Sequence, residues 1–166
     1  SMSKKLSGRW KAIVIDTSPL LLLLMGLYDT DAIENFRRFS KKYDSEDYDL
    51  LFQFVAKRKV IVTPHVLSEV SGFAKMELKN RFPEFIEGNT TILGEIDEEH
   101  VSKVHILASP ELVKFGFTDT SIILAAKEND ALVLTDDFLL WGICKKAGLE
   151  TKHMTEVLSK KEIFRE

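Results

Sequence analysis

Four places in this 166-residue sequence set carboxylates at or near the carboxyl edge of an inferred sheet. Asp16 follows Ala12-Ile13-Val14-Ile15, and Glu69 falls on the second turn of a helix opened by Thr63-Pro64. Asp119 heads an Ile-, Leu- and Ala-rich helix, and Asp136-Asp137 follow Leu132-Val133-Leu134-Thr135. In open α/β sheets ligands gather outside the carboxyl ends of the strands. Each acid alone also reads as a helix-start residue, because Asp is favoured at caps and in first turns. Together they say more. Several carboxylates at one sheet edge repel and raise one another's pKa unless a cation neutralises them. An all-oxygen donor set suits Mg²⁺ or Mn²⁺, which keep waters that a substrate phosphate can replace. The chemistry implied is metal-assisted hydrolysis of a phosphodiester.

The elements that must position these acids are legible in part. Ala12 to Ile15 is a continuous apolar run, as expected of a strand buried on both faces of a parallel sheet. Thr17-Ser18-Pro19 offers hydroxyl caps and a first-turn proline to a helix over Leu20 to Leu27, apolar nearly all round and therefore expected to be buried. Tyr28 to Lys59 is charge-rich and is expected to be a helical insertion or elaboration. Within it Phe36, Phe39 and Tyr43 share a face, Ser45 is a candidate cap, and Lys57-Arg58-Lys59 closes the second helix. Val60 to Val62 is a second strand, and Met76 to Ser109 reads helical in pieces broken at Pro83 and at Gly88-Asn89. In that stretch Glu95 to Glu99 is expected to start a helix. Phe115 to Ser121 is a turn into the helix Ile122 to Glu128, which Asn129-Asp130 ends. Gly148 caps the helix from Phe138 to Ala147, Leu149 to His153 is a last strand candidate, and a helix from Glu156 to Phe164 closes the chain. Strands separated by helices make this an α/β fold, a three-layer α/β/α sandwich on a central, mainly parallel sheet formed by a single domain over 1–166.

Composition excludes several classes. Net charge is −3, so nothing marks a protein that wraps duplex DNA, and a nucleic-acid contact has to come from local basic clusters. The single cysteine, Cys144, excludes an internal disulfide and a Cys-cluster metal site, reads as a small buried hydrophobe, and fits a reducing cytoplasm. The apolar run Pro19 to Leu27 is too short to span a bilayer, so no membrane partner is expected. Ser1-Met2 is expected to be a cloning remnant, with no signal peptide behind it. His65 lies four residues before Glu69 on one helix face, but hard cations prefer oxygen. Trp10, beside Arg9 and Lys11, is a core or rim aromatic or a base-stacking platform.

The quoted segments resemble the PIN-domain nucleases. Val14-Ile15-Asp16-Thr17-Ser18 looks like their opening motif and Leu67-Ser68-Glu69-Val70 like their second acidic site. Thr118-Asp119-Thr120-Ser121, leading to Ala125-Ala126, is similar to the third, and Val133-Leu134-Thr135-Asp136-Asp137-Phe138 to the last, a strand followed by Thr-x-Asp. The resemblance covers nearly the whole chain and is weakest over Tyr28 to Lys59. It implies Asp16, Glu69, Asp119 and Asp137 as catalytic metal ligands for Mg²⁺ or Mn²⁺, with Asp136 as an auxiliary ligand and Thr17, Ser18 and Thr135 as hydroxyls lining the site. It further implies cleavage of single-stranded RNA. Many stand-alone members are toxins paired with a protein antitoxin and are often homodimers, so both partners are expectations. The extra length here sits in the Tyr28–Lys59 and Met76–Ser109 segments.

Two readings from other classes compete. A catalytically silent PIN-like RNA- or protein-binding module would keep the fold without using the acids. A signalling receiver domain also gathers acids at strand ends, but it needs a phosphoacceptor Asp on a central strand and a late Lys after another, and no convincing Lys is present.

Overall fold

The computed structural model describes residues 11–159. Ser1-Met2, the Arg9-Trp10 pair and the far end of the expected last helix lie outside the described residues. The strands are β1 (Ala12–Ile15), β2 (Lys59–Val62), β3 (Asp97–Glu98), β4 (Leu132–Thr135) and β5 (Thr151–His153). They form a five-stranded sheet in the order β3-β2-β1-β4-β5, and every pairing is parallel. The helices are α1 (Thr17–Tyr28), α2 (Ser45–Val55), α3 (Pro64–Leu78), α4 (Phe82–Glu95), α5 (Lys103–Ala108), α6 (Leu112–Asn129), α7 (Phe138–Lys146) and α8 (Met154–Val157).

The chain steps from β1 to β2 to β3 in one direction, then crosses back to β4 and β5 on the other side of β1. Crossovers between parallel strands are right-handed, so the helices on the two sides of this reversal fall on opposite faces of the sheet. Accordingly α1 packs against α2, α3 and α4, while α6 lies on β1 and β4 beside α5 and α7. This is the three-layer α/β/α sandwich. Ile13, Val14 and Ile15 are fully buried between the layers, as are Leu132, Val133 and Leu134. Strand order reverses between β1 and β4, and the crevice outside their carboxyl ends is the position at which such folds hold ligands.

Helix α1 is buried from Thr17 to Gly26, as its all-round apolar pattern requires. Gly26 lies against the Tyr48 ring of α2: a Cβ there would stand 1.9 Å from Cδ1 of Tyr48 and 2.3 Å from two further ring atoms. Alanine normally favours a helix interior, but here the ring has to move. Gly26→Ala is expected to lower unfolding free energy by about 1–2 kcal/mol, the overpacking cost less the gain in helix propensity. Urea titration checks this.

Several local expectations are corrected. The acidic run starts no helix: Glu95 ends α4, and Asp97–Glu98 form the edge strand β3, paired with Ile61 and Val62. Acids on a short edge strand discourage further pairing. Helix α4 runs through Gly88-Asn89, because buried Asn89 donates to the carbonyls of Phe85 (2.9 Å) and Leu24 (3.1 Å), tying α4 to α1. The cap of α2 is Asp44, in a reciprocal capping box with Asp47, and Ser45 is the first helical residue. Helix α2 ends at Val55, and Lys59 belongs to β2. Arg58 alone of the basic triplet meets the helix end, donating to the Phe54 carbonyl. Cys144 is fully buried, and that burial pushes its thiol up to about 12.

Candidate functional site

The β1–β4 pairing builds the centre of the site. Ile15 stands opposite Leu134, and the Asp16 amide donates to the Leu134 carbonyl at 3.0 Å, so Asp16 and Thr135 leave the sheet side by side. The Thr135 hydroxyl donates to Asp16 Oδ2 (2.7 Å), and the Thr17 amide donates to Oδ1 (2.7 Å). Asp16 thereby caps α1 and has one partner on each oxygen. Glu69, on α3, accepts from the Thr17 hydroxyl (3.0 Å) and from the Thr118 hydroxyl (2.6 Å). A second bond between Thr63 Oγ1 and Ser121 Oγ, 2.9 Å, joins the start of α3 to α6 beneath it.

Asp119 owes its place to Gly116. Helix α6 breaks there, with φ 82° and ψ −178°, a conformation open to glycine and costly for other residues. The turn expected over Phe115 to Ser121 is thus present, though a short helical piece from Leu112 precedes it. Beyond the break the helix restarts, and Asp119 lies in its first turn. Among the described residues Asp119 has no hydrogen-bond partner, only the field of other acids.

That field is strong. Asp16 is raised to about 6, first by burial and then by Asp136 and Glu69, against the opposing hydrogen bonds from Thr135 and Thr17. Asp119 is raised to about 7, first by burial and then by Asp16, Asp137 and Glu69. All five expected acids therefore share one electrostatic site at the carboxyl edge. The three auxiliary hydroxyls are buried there as well: Thr17 and Thr135 bond the acids directly, and Ser18 accepts from Arg38 Nε at 3.2 Å.

The Asp136-Asp137 pair divides its work differently from the expectation that Asp137 is a ligand and Asp136 an auxiliary one. Asp137 is the cap: its Oδ1 accepts from the Leu139 amide at 2.8 Å at the head of α7. Its own amide donates to Thr135 Oγ1 at 3.0 Å. Asp136 instead accepts from the Tyr43 hydroxyl (3.1 Å) and lies 3.5 Å from Lys42 Nζ. Its carbonyl accepts from His153 Nε2 at 2.9 Å, while Nδ1 accepts from the Thr155 amide, which fixes the tautomer. The His153 ring stacks on Phe138, with centroids 3.6 Å apart.

Tyr43, Lys42, Arg38 and His153 are the site-bordering residues that motif reading misses, and Thr118 lies in a quoted motif without being singled out. Tyr43 carried a signal only as one of three aromatics on a common face; burial, then Asp136, raises its phenol. His65 stays outside the acid cluster's hydrogen bonds and stacks on Phe117 at 6.1 Å.

The donor set suits a hard divalent cation. Every group is a carboxylate or hydroxyl oxygen, Asp119 has no hydrogen-bond partner among the described residues, and a cation would offset both the burial that chiefly raises Asp16 and Asp119 and the repulsion that adds to it. Among the described residues no three acids form a finished cage. Mg²⁺ asks for less, since it commonly takes one or two carboxylates directly and reaches the rest through its waters. The residues fit an ion bound in that manner.

No family model matches the sequence, and no curated protein matches it. Among solved structures, the chain is similar to a domain of a functionally unknown protein from Methanocaldococcus jannaschii DSM 2661, at 16% identity and a TM-score of 0.44 over 86% of this chain and 89% of that one. Among the described residues no helix is long and apolar enough to cross a membrane.

Proposed function

We propose that this chain is a PIN-like, divalent-cation-dependent endoribonuclease that hydrolyses phosphodiester bonds of single-stranded RNA in the cytoplasm. The observation that carries the reading is the convergence of Asp16, Glu69, Asp119 and Asp136-Asp137 on the β1–β4 crevice, with Asp16 and Asp119 raised to about 6 and 7. The four motif segments that resemble PIN-domain nucleases are the segments that meet there. Asp16 and Asp119 would hold Mg²⁺ or Mn²⁺ directly, with Asp137, Glu69 and Asp136 orienting its waters. When bound, such an ion supplies an activated water and neutralises charge on the phosphate.

The chain's own residues divide the remaining tasks. Thr135 orients Asp16 through Oδ2, and Thr17 and Thr118 fix the two oxygens of Glu69, so both carboxylates are held before substrate arrives. Tyr43 and Lys42 hold Asp136. A protein antitoxin and a second copy of the chain remain proposals carried by the resemblance alone.

The test is incubation of unstructured RNA oligonucleotides with purified protein and Mn²⁺. Cleavage that EDTA abolishes supports the nuclease reading. RNA bound but left intact supports the binding module.

A further inference from the structure

The β1–β2 connection places a basic cluster beside the acids, and Arg38 is its organised member. Its Nε donates to Ser18 Oγ at 3.2 Å, two residues beyond Asp16, and its guanidinium lies 3.9 Å over the Phe73 ring. Those contacts fix the plane of the group while its two terminal nitrogens have no protein partner among the described residues. A planar guanidinium anchored at one edge and free at the other presents a fork suited to two oxygens of one phosphate.

The same guanidinium lines a cavity of about 400 Å³ with Arg37, Phe73, Met76, Glu77 and Lys79. Glu77 accepts from the Arg37 amide at 2.7 Å and lies 3.9 Å from Arg37 Nε. With Arg37 and Glu77 offsetting one another, Arg38 and Lys79 leave the cavity positive, in contrast to the acidic crevice next to it. Met76 is 73% exposed and Phe73 is half-buried, so an apolar surface for a base adjoins the charges for a phosphate. Ser40 and Lys41 both adopt left-handed backbone, with φ 49° and 61°, costly for residues other than glycine. The turn they make carries the chain from Arg38 at the cavity to Lys42 at Asp136.

We propose that Arg38 and this cavity form a subsite for single-stranded nucleic acid, Arg38 clamping a backbone phosphate beside the scissile one and the cavity receiving the adjoining nucleotide. The inference rests on the nuclease reading of the acidic site. Arg38 is here a positioning residue, and the Tyr28–Lys59 segment becomes the substrate-binding rim of the enzyme.

Binding of a fluorescein-labelled single-stranded RNA oligonucleotide, measured by anisotropy in EDTA over a range of salt, tests it. Arg38→Ala is expected to raise Kd roughly tenfold and to flatten the log–log salt slope by about 0.7, the share of one phosphate contact on a single strand. Arg38→Lys should keep the slope and regain part of the affinity. Lys127→Ala, which removes an exposed cation at the far end of α6, should leave the slope alone. An Arg38→Ala protein that folds and binds with unchanged Kd and slope overturns the proposal. If wild type cleaves RNA with Mn²⁺ and Arg38→Ala is unaffected, the subsite falls while the nuclease reading stands. If Arg38→Ala loses affinity while wild type never cleaves, the subsite stands and the nuclease reading falls.

Discussion

Asp119→Asn is expected to make the metal-free protein more stable and the enzyme inactive. Asp119 has no hydrogen-bond partner among the described residues, and burial first, then the acids around it, holds its carboxyl at about 7. At pH 8 it carries a charge that its surroundings disfavour. An amide of nearly the same shape removes that charge and relieves Asp16 with it. Asp119 is partly open to solvent, which screens the effect, so the gain is on the order of 1–2 kcal/mol. For a domain of this size that is a rise in Tm of roughly 3–6 °C. The same substitution removes a direct cation ligand, and Mn²⁺-dependent RNA cleavage should fall by roughly a hundredfold or more. Differential scanning calorimetry and a cleavage assay on one preparation check both halves. A residue that served only as a helix-start acid would give the opposite stability change, because removing it would weaken α6.

The second large effect is the pH dependence of stability without metal. Asp16 and Asp119 have folded-state values of about 6 and about 7, above the ordinary value of 3.8. Between roughly pH 4 and pH 7 the folded protein therefore binds more protons than the unfolded chain, and stability falls as pH rises through that window. The penalty is absent below the unfolded value and complete above the folded ones. For Asp16, which is almost wholly buried, the rise from 3.8 to about 6 corresponds to about 3 kcal/mol. The Tm of the EDTA-treated protein is expected to drop by roughly 5–10 °C from pH 5 to pH 8. Saturating Mn²⁺ should restore it at pH 8, since a cation bound only to the folded state stabilises by mass action. A Tm that stays level across this range in EDTA would show that the acids are not held against their own repulsion.

Much of this was legible in the sequence because strand–helix junctions are local events. Ala12 to Ile15 has to be a two-sided buried strand, Thr63-Pro64 has to open a helix, and Gly116 marks the break that sets Asp119 in a first turn. That the three junctions after β1, β2 and β4 meet follows from parallel strands having a common carboxyl edge, and α6, packed on β1 and β4, brings Asp119 to them. What was not legible depends on contacts across many residues. Asp137 rather than Asp136 became the cap because the backbone after Thr135 points Oδ1 at the Leu139 amide, while Tyr43, ninety-three positions away in sequence, takes Asp136. Asn89 sits in a stretch that composition reads as a break, yet its amide reaches the Leu24 carbonyl and keeps α4 continuous. Asp97–Glu98 read as a helix start, since nothing local distinguishes an acidic edge strand from one. Arg38 carried no signal at all until Ser18 and Phe73 were seen to hold it.

Calorimetric titration of Mn²⁺ into the metal-free protein at pH 6.5, repeated in buffers of different ionisation enthalpy, tests the cation site most directly. Near this pH Asp16 and Asp119 are each partly protonated, so binding has to release protons and the observed heat has to vary with the buffer. Saturable binding with proton release is expected, and Asp16→Asn and Asp119→Asn should both remove it. Mn²⁺ that does not bind, or that binds the two variants as it binds wild type, would contradict that expectation.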